Sequence, residues 1–270
     1  MRLAIDHRTR YRFSEPQARL VQMLRMTPAD TNDQTTVAWR IDVDCDARLR
    51  AHRDGFGNMT TMLYAEGPIE ELEICATGEV LTTEADGIVT GGFEPLPAAL
   101  YARATELTAA DEALAAFARD AMGEGEALVR LHRLNAAVHG RVGMDASPPE
   151  PGRGATAVLD EASGPARDLA HLFLAAARSA GLPSRYVSGY RLFGDGGDAR
   201  PRPHAWVEGW CEGLGWVGFD PAAGLSPDER YVRIAVALDA LGATPAAGVR
   251  IGVGEEVLDA EVVVERLTGE

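Results

Sequence analysis

Two stretches near residue 210 carry side chains that could do chemistry together. His204 opens the run His-Ala-Trp-Val-Glu, and Asp220 closes the run Trp-Val-Gly-Phe-Asp. A histidine backed by a carboxylate can serve as the general base for a nucleophile, because the carboxylate fixes the imidazole tautomer. Upstream, the stretch 163–171 opens a helix where a cysteine nucleophile would be expected, and Ala166 stands there. The chain therefore carries two parts of a catalytic triad and lacks the third, since a methyl group cannot attack a substrate.

The helix that would position residue 166 has clear start and stop signals. Gly164 or Ser163 can cap it, Pro165 suits its first position, and Gly181 followed by Pro183 ends it. Its apolar residues recur at helical spacing: Leu169, Leu172, Phe173, Ala176 and Ala180. A side chain in the first turn lies beside unpaired backbone N–H groups and the positive end of the helix dipole, where a thiol would be favoured as a thiolate.

His204 and Asp220 fall on two predicted strands, 204–211 and 216–220, that together indicate a hairpin. Because side chains alternate between the two faces of a strand, the turn length decides whether His204 and Asp220 share a face. They do so only if the turn holds an odd number of residues or a bulge. Gly213 and Gly215 permit either arrangement.

The first third of the chain, residues 1–95, is predicted to be β structure. Short alternating runs such as 38–43 and 72–76 are separated by frequent turn signals, which favours an antiparallel β-sandwich. Glycines and prolines around residue 94 then mark a boundary. We therefore expect an N-terminal β-sandwich domain (1–95) and a second domain (96–270).

The second domain is predicted to hold helices packed on an antiparallel sheet, which makes the fold class α+β. Two helices precede the one at residue 166. Thr108 caps the first, with Leu114 on its inner face, and the second spans 126–138. The remaining predicted strands are 185–193, 232–238 and 260–267.

Composition narrows the range of partners. The 270 residues carry a formal net charge of −15, which argues against nucleic acid or an anionic membrane surface. No run approaches the roughly 18 apolar residues of a membrane span, and charge interrupts the N-terminus too early for a signal peptide. The three cysteines have neither disulfide-framework nor metal-ligand spacing. The sequence thus predicts no metal, no cofactor and a cytoplasmic protein.

Several stretches taken together resemble the bacterial transglutaminase-like proteins, relatives of the transglutaminases and papain-type cysteine proteases. The resemblance covers nearly the whole chain. The stretches that carry it are 7–11, 54–58, 168–171, 181–190, 204–208 and 215–221. The resemblance implies an N-terminal β region followed by a papain-like transglutaminase core. It also implies acyl-transfer or peptide-hydrolysing ancestry through a thioester intermediate.

By the roles in that family, Ala166 lies at the nucleophile position, His204 is the base and Asp220 orients it. The family pattern before Asp168 reads Gly-Val-Cys-Gln, whereas this chain reads Gly-Pro-Ala-Arg. A cysteine was either replaced by design or lost from the natural gene. The changes on both sides of residue 166 favour natural loss, because a designed knockout would leave the neighbours alone.

Three functions compete. The leading hypothesis is a non-catalytic binding or scaffolding protein for a peptide or amide-bearing ligand, contacted by Trp206, Tyr190 and Asp168. Trp206 suits a core position equally well, and Asp168 a structural role at the helix start. The alternative is a cysteine-type protease, amidase or acyltransferase whose nucleophile was changed to alanine. In the third hypothesis, His204 with Asp220 or Asp168 carries out a different reaction by means of a bound metal or an activated water. No metal-ligand spacing in the sequence supports it.

No other side chain is a strong candidate for the missing nucleophile. Cys211 shares the strand of His204 but points to the opposite face, which favours core packing. Ser163 precedes the helix and is better explained as its cap. The sequence does not define the oligomeric state.

Overall fold

The computed structural model describes residues 1–145, 147–148, 150–194 and 203–267. The strands are β1 (Arg2–Leu24), β2 (Gln34–Val43), β3 (Ala47–Arg53), β4 (Met59–Thr82), β5 (Ile88–Val89), β6 (Gly143–Met144), β7 (Ser163–Gly164), β8 (Ser184–Arg191), β9 (His204–Cys211), β10 (Gly215–Phe219), β11 (Tyr231–Ala237), β12 (Ala246–Ile251) and β13 (Glu256–Arg266). The α-helices are α1 (Glu112–Met122), α2 (Ala127–Arg141), α3 (Ala155–Glu161) and α4 (Ala166–Ser179), and short 3-10 helices span Ala98–Ala102 and Glu106–Thr108. The arrangement confirms the α+β fold class. Within the described residues, no helix is long and apolar enough to cross a membrane.

The N-terminal sheet is built on two long antiparallel strands, β1 and β4, each of which changes partner along its length. The first half of β1 (3–13) pairs with β13, and its second half (19–24) pairs with β12. β4 pairs first with β3 and then with β2. Register shifts in the β1–β4 pair between Arg12 and Arg19 divide the two halves. Residues from both halves form one buried cluster, so the sheet curls over a shared core as the predicted sandwich requires.

The second sheet carries the predicted site. Its strand order is β11-β8-β9-β10-β5, and all of these neighbours are antiparallel. Helix α4 lies at the centre of the layer that covers it, and every residue from Asp168 to Arg178 is buried. Helices α1, α2 and α3 contact α4 and contribute to the same core cluster. The papain-like arrangement of helices on an antiparallel sheet is therefore present.

The division of the chain differs from the predicted boundaries. Strands β12 and β13, which were assigned to the 96–270 domain, pair with β1 in the N-terminal sheet. Conversely, β5 from the 1–95 segment pairs with β10 in the second sheet. Pairing between strands more than 200 residues apart leaves no local signal in the sequence, so composition and turn residues could not reveal it.

Helices α2 and α4 begin within one residue of their predicted starts, α1 begins later than predicted, and one helix was missed. Asp111, not Thr108, caps α1, since its Oδ1 accepts a hydrogen bond from the Leu114 N–H at 2.8 Å. Pro165 is the N-cap of α4 rather than its first helical residue. Helix α3 has only seven residues, Ala155–Glu161, where no helix was predicted. So short a segment gives too few turns for a helical period to show.

Two amide side chains join the N-terminal sheet to the second sheet. Asn58 donates from Nδ2 to the Val236 carbonyl and accepts from the Val236 N–H at its Oδ1, both at 2.8 Å. Gln34 makes the same pair of bonds with Arg233, at 2.9 and 2.8 Å. Each amide thus occupies the place of a strand neighbour of β11, on either side of the register shift before Ala235. The two sheets are therefore fixed against each other.

Candidate active-site cleft

The start of helix α4 presents two backbone donors. Pro165 caps the helix, and its carbonyl accepts hydrogen bonds from Asp168 at 2.8 Å and Leu169 at 3.2 Å. The N–H groups of Ala166 and Arg167 precede these bonds and have no acceptor among the described residues. Ala166 therefore stands beside unpaired amides at the positive end of the dipole, as the sequence predicted for that position.

His204 and Asp220 meet in the folded chain. The imidazole Nε2 lies 2.7 Å from Asp220 Oδ2. The turn between β9 and β10 holds three residues, 212–214, since Cys211 pairs with Gly215. An odd turn was the condition for the two side chains to share a face, so the parity argument is confirmed.

Asp220 is fully buried and richly bonded. The Tyr231 hydroxyl donates to Oδ2 at 2.7 Å, and the N–H groups of Ala222 and Ala223 donate to Oδ1 at 2.9 and 3.2 Å. Burial raises the pKa of this carboxyl, but the adjacent His204 imidazole, the hydrogen bonds and the nearby Arg191 outweigh burial and hold the pKa below its usual value. The carboxylate is thus fixed in its ionised form against the imidazole.

Ala166 and His204 line one cavity of about 240 Å³. Its walls come from the start of α4, from β8, from the start of β9 and from the segment 240–245. Apolar side chains make up much of the lining: Met144, Pro165, Phe193, Pro203, Ala205, Ala240, Ala243 and Pro245. The structure therefore places Ala166 and His204 at one space, and Asp220, which is outside the lining, is bonded to His204.

Several lining residues were not singled out by the sequence, and two of them lie on β8. Tyr186 and Ser188 alternate along β8, are 5% and 7% exposed, and face the cavity. Neither side-chain hydroxyl has a hydrogen-bond partner among the described residues. Their spacing of two on a strand that follows the helix was the signal that could have identified them.

The three predicted ligand contacts lie elsewhere. Trp206 is 3% exposed and packs against His204 and Tyr231, with ring centroids 6.3 and 5.4 Å away, outside the cavity lining. Tyr190 is also buried, and its hydroxyl lies 2.8 Å from Nδ1 of His7. Both rings therefore pack in the interior. Nearly every residue of β8 and β9 is buried, so the alternation of residues along these strands does not distinguish a solvent-exposed face from a buried one.

Asp168 is fully buried in an ion-pair cluster behind the helix start. Its Oδ2 lies 3.0 Å from Arg153 and its Oδ1 lies 2.8 Å from Nε of Arg167. It does not cap the helix with its side chain, and it is not among the cavity-lining residues. Its contacts favour the structural role over the ligand-binding one.

A buried ion-pair network supports the strands that carry the site. Glu208 accepts from Nε of Arg185 at 2.6 Å and from Nε of Arg233 at 2.7 Å. Arg185 also makes a bidentate pair with Glu94 and lies 4.0 Å from the centre of the Trp216 ring. Arg185 and Glu208 are direct partners across β8 and β9, so the network joins the strand of Tyr186 to that of His204.

Two family models match the chain. Residues 3–81 match the bacterial transglutaminase-like N-terminal region, and residues 115–221 match the transglutaminase-like superfamily. Together the matches span more than half of the chain, and the second includes the start of α4, His204 and Asp220. The chain thus carries a bacterial transglutaminase-like N-terminal region and a transglutaminase-like core.

Relatives extend over the full length. An uncharacterised protein of Mycobacterium leprae (strain TN) is 27% identical over 279 residues, which cover 98% of this chain and 99% of the relative. An uncharacterised protein of Mycobacterium tuberculosis (strain H37Rv) is 27% identical over 296 residues, covering 100% and 94%. Among solved structures, a candidate cysteine protease from Cytophaga hutchinsonii superimposes with a TM-score of 0.77 at 19% identity, covering 100% of this chain and 92% of that one. This last likeness shows that both chains share the fold.

Proposed function

We propose that this protein binds a peptide or amide-bearing ligand in the cavity of Ala166 and His204 without forming a covalent intermediate. The observation that carries the proposal is the methyl group at residue 166, which lines the same cavity as an imidazole held by Asp220. The position suited to a thiolate thus has no reactive atom. In a serine protease, loss of the nucleophile alone lowers turnover on the order of a millionfold.

The other candidate nucleophiles do not replace it. Cys211 is buried and Ser163 bonds to Asp145 at 3.1 Å, and neither is a cavity-lining residue. Ser188 does line the cavity, but its hydroxyl makes no hydrogen bond to His204 among the described contacts. A histidine activates a hydroxyl through such a bond, so Ser188 is not set up as a nucleophile.

The composition of the cavity supports ligand binding. A few polar groups converge inside largely apolar walls, which is typical of sites that bind small molecules or chain segments. The His204–Asp220 pair then supplies an oriented polar group rather than a base.

Retention of peptides by the unmodified protein tests this function. The protein is incubated with a mixture of N-acetylated tripeptides, separated by gel filtration and analysed by mass spectrometry. We expect some peptides to co-elute intact, with no cleavage or transfer products. Peptide turnover by the unmodified protein, or no retained peptide at all, would contradict the proposal.

Introducing a cysteine at residue 166 tests whether the start of α4 and His204 are arranged as in a cysteine-type active site. We expect Ala166→Cys to react rapidly with iodoacetamide, with a pH midpoint below the usual cysteine pKa of about 8.5. The remaining thiols give little background, since burial raises the pKa of Cys211 to about 11 and also raises those of Cys45 and Cys75. Peptide mapping identifies the labelled residue.

The control is Ala166→Cys combined with His204→Ala, which should react at least about tenfold more slowly because the imidazole cation no longer favours the thiolate. Equal rates in the two variants would mean that His204 and residue 166 are not coupled. An enzyme whose cysteine was replaced by design would show the same thiol reactivity after Ala166→Cys. The codon for residue 166 in the natural gene separates that origin from natural loss.

A further inference from the structure

The cavity holds several hydrogen-bond donors that lack acceptors. The amides of Ala166 and Arg167 can only donate, and no described residue accepts from them. The hydroxyls of Tyr186 and Ser188 have no partner either, and both side chains are more than nine-tenths buried. Burial raises the pKa of Tyr186, so its hydroxyl stays protonated and able to donate. These donors border the cavity, where acceptor atoms of a ligand can pair with them.

The histidine adds one more group. His204 is 9% exposed, its Nε2 is held by Asp220, and Nδ1 has no partner in the described part of the chain. In an enzyme of this design a thiolate would face this imidazole from the start of the helix. With a methyl group at residue 166, the cavity keeps the surroundings of an anion but has no anion of its own at that position.

We infer that the ligand carries a carboxylate, and that one of its oxygens takes the place that a thiolate would occupy beside Ala166 and His204. This rests on the proposed function. A carboxylate accepts about four hydrogen bonds and only accepts, so it can satisfy amides and hydroxyls together. An amide carbonyl accepts about two and brings N–H donors of its own, which leaves donors of the cavity unpaired.

Among the described residues, the two charged side chains that line the cavity already make hydrogen bonds within the protein. Arg167 bonds through Nε to Asp168 and through a terminal nitrogen to the Glu150 carbonyl at 2.9 Å. Asp145 accepts from Ser147 and from Ser163. Recognition of the carboxylate is therefore assigned to the neutral donors and the helix start, as in other anion sites at helix N-termini.

The size of the cavity favours the end of a chain. Its volume of about 240 Å³ lies below the roughly 300 Å³ at which drug-sized ligand sites begin. A C-terminal residue with an apolar side chain fits both the volume and the apolar walls. A small free acid has the same carboxylate chemistry, and competition distinguishes the two sources.

Binding of a matched acid and amide tests the inference. N-acetyl-alanyl-leucine and its C-terminal amide are titrated by calorimetry into the unmodified protein, with acetate as a competitor. We expect the acid to bind about tenfold or more tightly than the amide, the difference between a charged and a neutral acceptor.

Displacement by equimolar acetate would assign the site to small acids, and its failure would assign it to peptide ends. Equal or tighter binding of the amide would overturn the inference while leaving the proposed function intact, whereas no binding of either probe would refute both.

Two variants of similar size test the location. Ala166→Ser adds a neutral hydroxyl, and Ala166→Cys adds a group that ionises at this position. At pH 8 the acid preference should persist in Ala166→Ser and fall about tenfold in Ala166→Cys, because two anions would compete for the same donors. If both variants kept the preference for the acid over the amide, or if both lost it equally, the carboxylate would have to lie elsewhere.

Discussion

His204 and Asp220 form a hydrogen-bonded pair at the cavity that the methyl group of Ala166 also lines. Asp220 accepts from His204, Tyr231 and two backbone amides, so a buried carboxylate that would otherwise be costly is fully satisfied. Its position fixes which imidazole nitrogen faces the carboxylate and which remains for a ligand. Such a fixed orientation serves ligand binding as well as proton transfer.

The contributions of Asp220 and Tyr231 can be separated in the Ala166→Cys background. We expect Asp220→Asn to slow alkylation of the new thiol by at least about tenfold, because the imidazolium loses its counter-charge and its orientation. Tyr231→Phe removes one of several hydrogen bonds to the same carboxylate and should change the rate by less than about threefold. Alkylation rates against pH provide the measurement, and equal effects of the two changes would assign no special role to the carboxylate charge.

Single residues differ in how far the sequence predicted them. His204, Asp220 and Ala166 could be placed together because short motifs and chain order identify them. Trp206 and Tyr190 could not be assigned, since a ring on a strand buried on both faces has the same pattern whether it lines a site or a core. Their positions depend on what packs on each face of the sheet, and those contacts come from distant parts of the chain, such as His7 at Tyr190 and Phe56 in the cluster of Trp206.

At the level of elements, the register of β8 and β9 is held by charge. Arg185 faces Glu208 directly, and Arg233 from β11 binds the same carboxylate. Burial raises the pKa of Glu208, but the two guanidinium groups outweigh burial and hold its pKa below the usual value. A slip of the strands would separate these charges in the interior, so the network favours the register that places His204 at the cavity.

Removal of Glu208 should therefore be costly. We expect Glu208→Ala to lower the free energy of unfolding by about 3–5 kcal/mol, because Arg185 is left fully buried with less compensation. The matched control is Glu94→Ala, whose carboxylate pairs with the same arginine but is 36% exposed, and which should cost about 1 kcal/mol or less. Urea unfolding at pH 7 measures both, and similar losses would argue against a buried network.

The elements themselves were predictable where the signal was local. The limits of α4 follow from Pro165 and Gly181, and the turn glycines allowed the odd loop that joins His204 to Asp220. Helix α3 and strand β12 were missed, since each is short and lies among residues that suit several conformations. The strand pairings of β12 and β13 depend on β1, at the other end of the chain, so no window of sequence around them contains the information.

At the scale of the whole molecule, His7 connects the two sheets. It lies on β1, is 1% exposed, and bonds to Tyr190 on β8. Burial lowers the pKa of His7 to about 4, an effect that the neighbouring Asp6 only partly opposes. The folded protein thus holds this imidazole neutral, whereas the unfolded chain takes up a proton near pH 6.5.

This difference makes the protein less stable in acid. The penalty is absent above about pH 6.5 and grows as pH falls toward 4, because only the unfolded chain binds the proton over that range. Between pH 7 and pH 5 it amounts to about 2 kcal/mol. We expect His7→Gln to lose about that much less stability than the unmodified protein over the same interval. His171, whose pKa burial lowers to about 3, contributes with the same sign in both proteins, so it does not affect the comparison.

Urea unfolding at the two pH values provides the measurement. Identical pH dependence in the variant and the unmodified protein would mean that His7 is not held neutral at the contact between the sheets.

The last strand tests the architecture as a whole. β13 presents Val262 and Val264 to the core cluster that also contains Leu3 and the helices, while Val257 on the same strand is 54% exposed. If the strand belonged to a separate C-terminal unit, its inner residues would not affect the stability of the remainder. Because it pairs with β1, we expect Val264→Asp to destabilise the whole protein by about 3 kcal/mol or more, in one cooperative transition. Val257→Asp is the matched change on the solvent side and should alter stability by less than about 0.5 kcal/mol. Calorimetric unfolding distinguishes the cases, and a Val264→Asp protein whose main transition is unchanged would show that β13 is not part of the common fold.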